Sequence, residues 1–203
     1  MSCPKRLVLF VNAQNMYRGA RRAFFPDSTS YVDGNFNPVQ LGQLIASRPI
    51  DGATRVLHQV RVYTGRPERT LQPESYAANL RQCAQWENWG AKVVARPLRY
   101  PHDWPDTKAQ EKGIDVALAI DFIALAIDGE YDAGVIASTD TDLRPALEFV
   151  LERYKGIRRV EVAAWRSSLR RVRLTVPGAE VWCHWLYRTD YDNIADGTNY
   201  TVP

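Results

Sequence analysis

Cysteine is scarce in this 203-residue chain. The three present, Cys3, Cys83 and Cys183, are too scattered for a disulfide framework or a zinc site, and one would be left unpaired. Such usage points to a reducing cytoplasm. The three histidines, His58, His102 and His184, stand apart without zinc-ligand spacing, so a histidine-based nuclease or hydrolase triad finds no support. His58, inside a strand-like segment, reads as strand packing. Long apolar runs are also missing. Leu7 to Val11 is too short for the core of a signal peptide, and no stretch approaches the roughly 20 residues of a membrane helix. Even AIDFIALAI is broken by Asp121. A soluble chain without membrane contact is expected, and no internal repeat or low-complexity tract interrupts it.

The hydrophobic share, 45%, is enough for a sizeable core in a chain of this length. One globular unit over residues 1–165 is expected, with a C-terminal extension, 166–203, packed on it or trailing from it. Lysine and arginine outnumber aspartate and glutamate by only 26 to 23, so the balance alone does not argue for a polyanionic partner. The distribution is more telling. Basic residues cluster at Arg18, Arg21 and Arg22, at Arg61, Arg66 and Arg69, between Arg153 and Arg159, and between Arg166 and Arg173. Basic rims around an acidic centre would look like this, and so would ordinary solvated charge.

Apolar, β-rich segments alternate with helical ones along the chain. RLVLFVN (6–12) has the look of a central parallel strand buried on both faces. Helices are expected from Asn15 to Phe25 and from Val39 to Ser47, with a turn-rich loop between them. A second strand spans 56–65, a helix 73–90 and a third strand 91–98. A proline-containing linker then leads to a helix over 114–128. AGVIAS supplies the fourth strand, Leu143 to Tyr154 a helix, and RRVEVAAW (158–165) a fifth strand. The pattern specifies right-handed crossovers and an open parallel sheet covered on both faces. EVWCHWLY reads as a further strand, and DNIADGTNYTVP as a loose tail.

The chemistry concentrates where strands end. Directly after the fourth strand come Ser138, Asp140 and Asp142, two carboxylates and a hydroxyl in five residues. Like charges so close repel, which points to a bound cation. Open parallel sheets bind ligands beyond the carboxyl ends of their strands, and Asn12 and Asn15 stand at that end of the first. Asp115 joins them from the helix over 114–128. Ala119, Phe122 and Ala126 lie within about 40° of it on a helical wheel, so this acid starts an apolar face. A first-turn acid favoured by the helix dipole would sit there too. Asp121 and Asp128 fall on a different stripe and read as solvated acids, with Asp121 also placed to support the site from behind. Lys112 could hold a phosphate or balance the acids. Ser138 could contact a phosphate or orient Asp140.

RLVLFVNAQNMY, KGIDVALAIDFIALA and YDAGVIASTDTDLRPALE resemble, in order and spacing, the three signature segments of NYN-domain proteins, a LabA-like branch of the PIN-like nucleases. The resemblance covers about residues 6–165. It implies a Rossmann-like three-layer α/β/α sandwich around a mainly parallel sheet. It also implies a metal-dependent endoribonuclease using Mg2+ or Mn2+, with Asn12, Asp115, Asp140 and Asp142 at the catalytic and metal-binding positions. The expected partner is RNA, single-stranded or structured, and pairing into a homodimer is a family expectation.

One position departs from the pattern. The family's first strand usually ends in aspartate, whereas this one ends in Asn12. An amide oxygen can ligate magnesium but brings no negative charge and cannot act as a base. Two readings follow: a ribonuclease impaired at this position, or a catalytically silent member that binds nucleic acid or a protein. Aspartate-based phosphatases also place a DxD pair after a strand, but after the first rather than the fourth. For substrate contacts the candidates are Asn15, Arg18, Arg21, Arg22, Lys112 and Ser138. Tyr17 either stacks on a base or packs in its helix. The arginines from Arg166 to Arg173, with Trp165, Trp182 and Trp185, form a second basic and aromatic region that binds RNA or contributes its tryptophans to the core.

Overall fold

The computed structural model describes residues 3–48, 50, 52, 54–168 and 170–202. Strands β1 (Lys5–Asn12), β2 (Arg55–Arg66), β3 (Lys92–Pro97), β4 (Ala133–Ala137), β5 (Arg159–Trp165) and β6 (Trp182–Leu186) form one sheet in the order β3-β2-β1-β4-β5-β6. Every pairing is parallel. The helices are α1 (Ala13–Phe24), α2 (Pro38–Ser47), α3 (Pro73–Asn88), α4 (Ile114–Ile127), α5 (Arg144–Arg153) and α6 (Arg188–Ile194). No helix among the described residues is long and apolar enough to cross a membrane.

β1 lies at the centre because its sequence suits burial on both sides. Leu7, Leu9 and Val11 face one core, under α1, α2, α3 and α6, while Val8 and Phe10 face the other, under α4 and α5. All five are fully buried. Alternate side chains of a strand serve opposite faces, so a continuous apolar run is what a three-layer α/β/α sandwich requires. Each such side chain contributes about 1.5–3 kcal/mol through burial. Close packing at β4 is visible at Gly134, where an added Cβ would come within 2.7–2.8 Å of the Phe122 and Tyr131 rings.

α4 is apolar on more than its buried side. Ile114, Leu118, Phe122 and Ala126 enter the core, yet Val116, Ile120 and Ile127 remain more than half exposed. Asp121, read from the sequence as solvated, is instead paired with Arg61 of β2 and accepts a hydrogen bond from the Tyr63 hydroxyl at 2.7 Å. The helical wheel could not supply that partner, because it lies on a strand 60 residues away.

Residues 166–202 continue the same architecture. β6 pairs with β5 from Glu161↔Trp182 to Trp165↔Leu186. The segment expected to trail loosely is tied down instead. The Tyr191 hydroxyl accepts from the Gly34 N–H at 2.9 Å and donates to the Asn35 carbonyl at 3.0 Å. The Asn37 N–H donates to the Ile194 carbonyl at 2.8 Å, and Arg81 of α3 donates to the Tyr200 carbonyl. Its polar residues look like a tail in sequence, but Tyr191, Ile194, Asp196 and Tyr200 are buried. Met1, Ser2 and Pro203 lie outside the described residues.

A charged cluster is buried at β2, β5 and β6. Arg55 donates to both Glu161 oxygens at 2.8 and 2.9 Å, Arg159 donates at 3.0 Å, and the His184 Nε2 lies 2.8 Å from the same carboxylate. Burial alone would raise the Glu161 pKa, but the His184 and Arg55 hydrogen bonds and the Arg55 charge outweigh it and hold it down to about 2. His58, by contrast, does not pack in the sheet interior. Its side chain is half exposed and stands 3.7 Å from Glu130.

A candidate carboxylate-lined active site

The strand order reverses between β1 and β4, which run side by side with Val11 opposite Ala137. Chains leaving these two strands diverge to opposite faces of the sheet, and the crevice between them is where such folds bind ligands. Asn12 closes β1 and is buried, while the Ser138–Asp142 loop leaves β4. Asn12 Oδ1 accepts the Asn15 N–H at 3.0 Å, capping α1. Asn15 Oδ1 in turn accepts from the Thr139 N–H at 3.0 Å and the Thr139 hydroxyl at 3.2 Å, which ties α1 to the β4 loop. Ser138, fully buried, accepts the Asp140 N–H at 3.1 Å. Asp140 Oδ1 accepts the Asp142 N–H at 3.0 Å and caps the 3₁₀ turn Thr141–Leu143. This bond fixes the backbone at Asp140.

Asp115 comes from the first turn of α4, which starts at Gly113 with a φ of 75°, a left-handed conformation that favours glycine. The Asn12 Nδ2 donates to Asp115 Oδ1 at 2.8 Å. Burial raises the Asp115 pKa most, the negative charge of Asp140 adds to it, the Asn12 hydrogen bond partly offsets it, and Asp142 raises it further. Asn12, Asp115, Asp140 and Asp142 thus belong to one electrostatic unit, with Asn15 and Ser138 holding its backbone.

Glu111 is a neighbour that the sequence reading passed over. It lies in the linker before α4, where nothing in the local pattern marks it. Its Oε1 accepts the Gly65 N–H at 2.7 Å. A Cβ at position 65 would sit 2.7 Å from that oxygen, so any larger residue there would displace the Glu111 side chain. With the Gln14 amide oriented to satisfy both neighbours, its nitrogen donates to Glu111 Oε2 at 2.9 Å and its oxygen accepts from Arg18 at 3.1 Å. Burial raises the Glu111 pKa, the Gly65 N–H offsets part of this, and the Asp115 charge adds to it.

The basic candidates separate. Arg18 is exposed beside Gln14 and close enough to Glu111 to stabilise its charge. Arg21 is engaged elsewhere: it donates to the carbonyls of Ser28, Ser30 and Asp33 and lies over the Tyr17 ring. It holds the loop between α1 and α2. Arg22 and Lys112 are exposed. Tyr17 donates to the Tyr31 carbonyl at 3.2 Å. In the C-terminal region Trp165 is core, its indole N–H donating to the Met16 carbonyl at 2.9 Å, whereas Trp182 is half exposed and Arg166 lies over Trp185.

A hard divalent cation suits the chemistry of this corner. Asp115, Asp140 and Asp142 provide carboxylate oxygens, and their mutual repulsion is the strain a cation relieves. Asn12 fits less well, because its oxygen already caps α1 and its nitrogen faces Asp115. Among the described residues no group of three His, Cys, Asp or Glu side chains is arranged to hold a metal ion in this structure.

Next to the corner, a cleft of about 720 Å³ opens between α1 and α3, bounded also by the ends of β2 and β3 and by residues 199–201. Glu111 and Gln14 line it, and Ala13 connects it to Asn12.

The parallel 3-2-1-4-5-6 sheet and the acids at its switch point define a Rossmann-like α/β domain with a carboxylate-lined crevice. The sequence model of the NYN domain matches residues 6–175, and the chain belongs to the NYN domain family. Among solved structures, it resembles the crystal structure of a protein of unknown function from Vibrio parahaemolyticus at 21% identity and a TM-score of 0.50, over 80% of this chain and 84% of that one. That likeness extends to the fold. No curated protein matches the chain.

Proposed function

We propose that this chain is a divalent-metal-dependent ribonuclease that hydrolyses RNA phosphodiester bonds at the β1–β4 corner, with Asn12 holding the site in a form of reduced charge. The observation that carries this reading is the concentration of Asp115, Asp140 and Asp142 at the switch point, with Asp115 repelled by the other two. The cap that Asp140 gives the 3₁₀ turn does not require Asp115 and Asp142 beside it, and family membership makes a nuclease-like site the natural setting.

In this reading Asp115, Asp140 and Asp142 hold one or two Mg2+ or Mn2+ ions. Such an ion, when bound, lowers the pKa of a coordinated water and neutralises the charge of the pentavalent transition state. Asn12 orients Asp115 through its N–H, and Ser138 orients Asp140 through the loop backbone. Arg18, exposed on the first turns of α1, attracts the RNA backbone, and Arg22 extends that basic edge one turn further. RNA and a cytoplasmic setting are parts of the same proposal.

The Asn12–Asp115 hydrogen bond favours a second reading. An amide donor already offsets part of the repulsion on Asp115, so the corner depends less on a cation, as a nucleic-acid-binding member that does not cleave would need. Labelled-RNA cleavage with Mg2+ or Mn2+, run on this chain beside Asn12→Asp and Asp140→Asn, separates the two. Cleavage abolished by Asp140→Asn supports the nuclease. Binding without cleavage by every form supports the silent binder.

A further inference from the structure

The cleft between α1 and α3 is chemically unlike the corner beside it. Five carboxamides and five aromatic rings contribute to its lining, along with Glu74 and Glu111, but no lysine or arginine does. A phosphate or carboxylate would meet repulsion there without a compensating cation. A neutral, planar group with donors and acceptors on its edge meets the opposite. The accessible rings of Tyr17 and Tyr31 take its π surface, Phe36, Trp86 and Tyr200 being buried, and carboxamides, which both donate and accept, pair with its edge.

We propose that this cleft is a nucleobase subsite that takes one unstacked base, with its ribose, of a single-stranded RNA whose backbone lies across the acidic corner. The proposal rests on the RNA reading above. Position supports it: Ala13 joins the cleft to Asn12, and Glu111 stands in its wall within reach of the Asp115 charge, which raises its pKa. The polar groups are partly uncommitted. Gln82 donates to Asn35 Oδ1 at 3.5 Å, and its carbonyl oxygen takes no hydrogen bond among the described residues. Trp86, buried in the same wall, carries an indole N–H with no partner among the described residues, an orphan of the kind that an ordered water or a ligand group completes. A volume of about 720 Å³ accommodates a base and its sugar with room for solvent.

The test is fluorescence anisotropy in EDTA with labelled hexamers of A, C, G or U and an abasic hexamer, so that binding is read apart from cleavage. One homopolymer should bind about tenfold tighter than the abasic strand, the effect of one well-stacked base. Gln82→Ala and the cleft-filling Ser75→Trp at the exposed rim should each narrow that preference to about twofold, while Asp140→Asn keeps it. Circular dichroism shows that the variants fold. Equal affinity for all five strands, or a preference untouched by both cleft variants, overturns the subsite. Cleavage without base preference sinks the subsite and leaves the nuclease. Base preference without cleavage by any form, Asn12→Asp included, sinks the nuclease and leaves the subsite. No binding of any strand overturns the subsite, and the nuclease falls with it when no form, Asn12→Asp included, cleaves in Mg2+ or Mn2+.

Discussion

The carboxamide of Asn12 donates to Asp115 Oδ1 at 2.8 Å while its oxygen caps α1 at the Asn15 N–H, 3.0 Å away. One uncharged side chain thus serves two structural tasks at the point where a carboxylate would serve the cap and oppose Asp115. Asn12→Asp keeps the cap and replaces the donor with a like charge. Without metal this variant should lose about 1–3 kcal/mol of stability, the cost of a broken hydrogen bond at a half-buried carboxylate. Magnesium should restore much of the loss. Thermal unfolding in EDTA and in excess Mg2+ measures both.

Asp115 sits above its ordinary pKa because it is buried and because Asp140 and Asp142 repel its charge. A carboxyl raised in the folded state binds its proton more tightly folded than unfolded. Across the interval between its ordinary and folded values, stability therefore falls as pH rises. Asp140→Asn should move the Asp115 titration back toward the ordinary range and flatten that slope. Carboxyl NMR titration of wild type and variant reads the shift directly.

Far from this corner, Glu161 holds Arg55 and His184 inside the sheet layer. Glu161→Gln leaves the Arg55 guanidinium buried without its counter-charge and should cost about 3–5 kcal/mol, read as a lowered denaturant midpoint. The pH dependence has the opposite sign to that of Asp115. Glu161 is depressed from an ordinary 4.5 to about 2, so its stabilising contribution is complete above pH 4.5 and is lost as pH falls toward 2. Acid unfolding of Glu161→Gln should be correspondingly less steep there.

The fold and the acids of the site were legible for the same reason. A strand buried on both faces must be an unbroken apolar run, so β1 and β4 announce themselves, and the polar residues at their ends, Asn12 closing one and Asp140 and Asp142 following the other, fall at the carboxyl edge. Asp121, Glu111 and the C-terminal segment were not legible, because what defines them is distant in sequence. Asp121 depends on Arg61 and Tyr63, Glu111 on the Gly65 N–H, and the residues around Tyr191 on Gly34 and Asn35. Arg21 reads as a phosphate ligand until the carbonyls of residues 28–33 are seen around it. Local pattern reports burial, whereas pairing across elements needs the tertiary structure.

The central claim is that charge at position 12 limits the metal chemistry of Asp115, Asp140 and Asp142. Calorimetric titration of Mg2+ into wild type and Asn12→Asp, followed by labelled-RNA cleavage at saturating metal, tests it most directly. The account predicts that Asn12→Asp binds Mg2+ about tenfold tighter or more and cleaves faster, and that adding Asp140→Asn removes both gains. Affinity and cleavage unchanged by Asn12→Asp would contradict it.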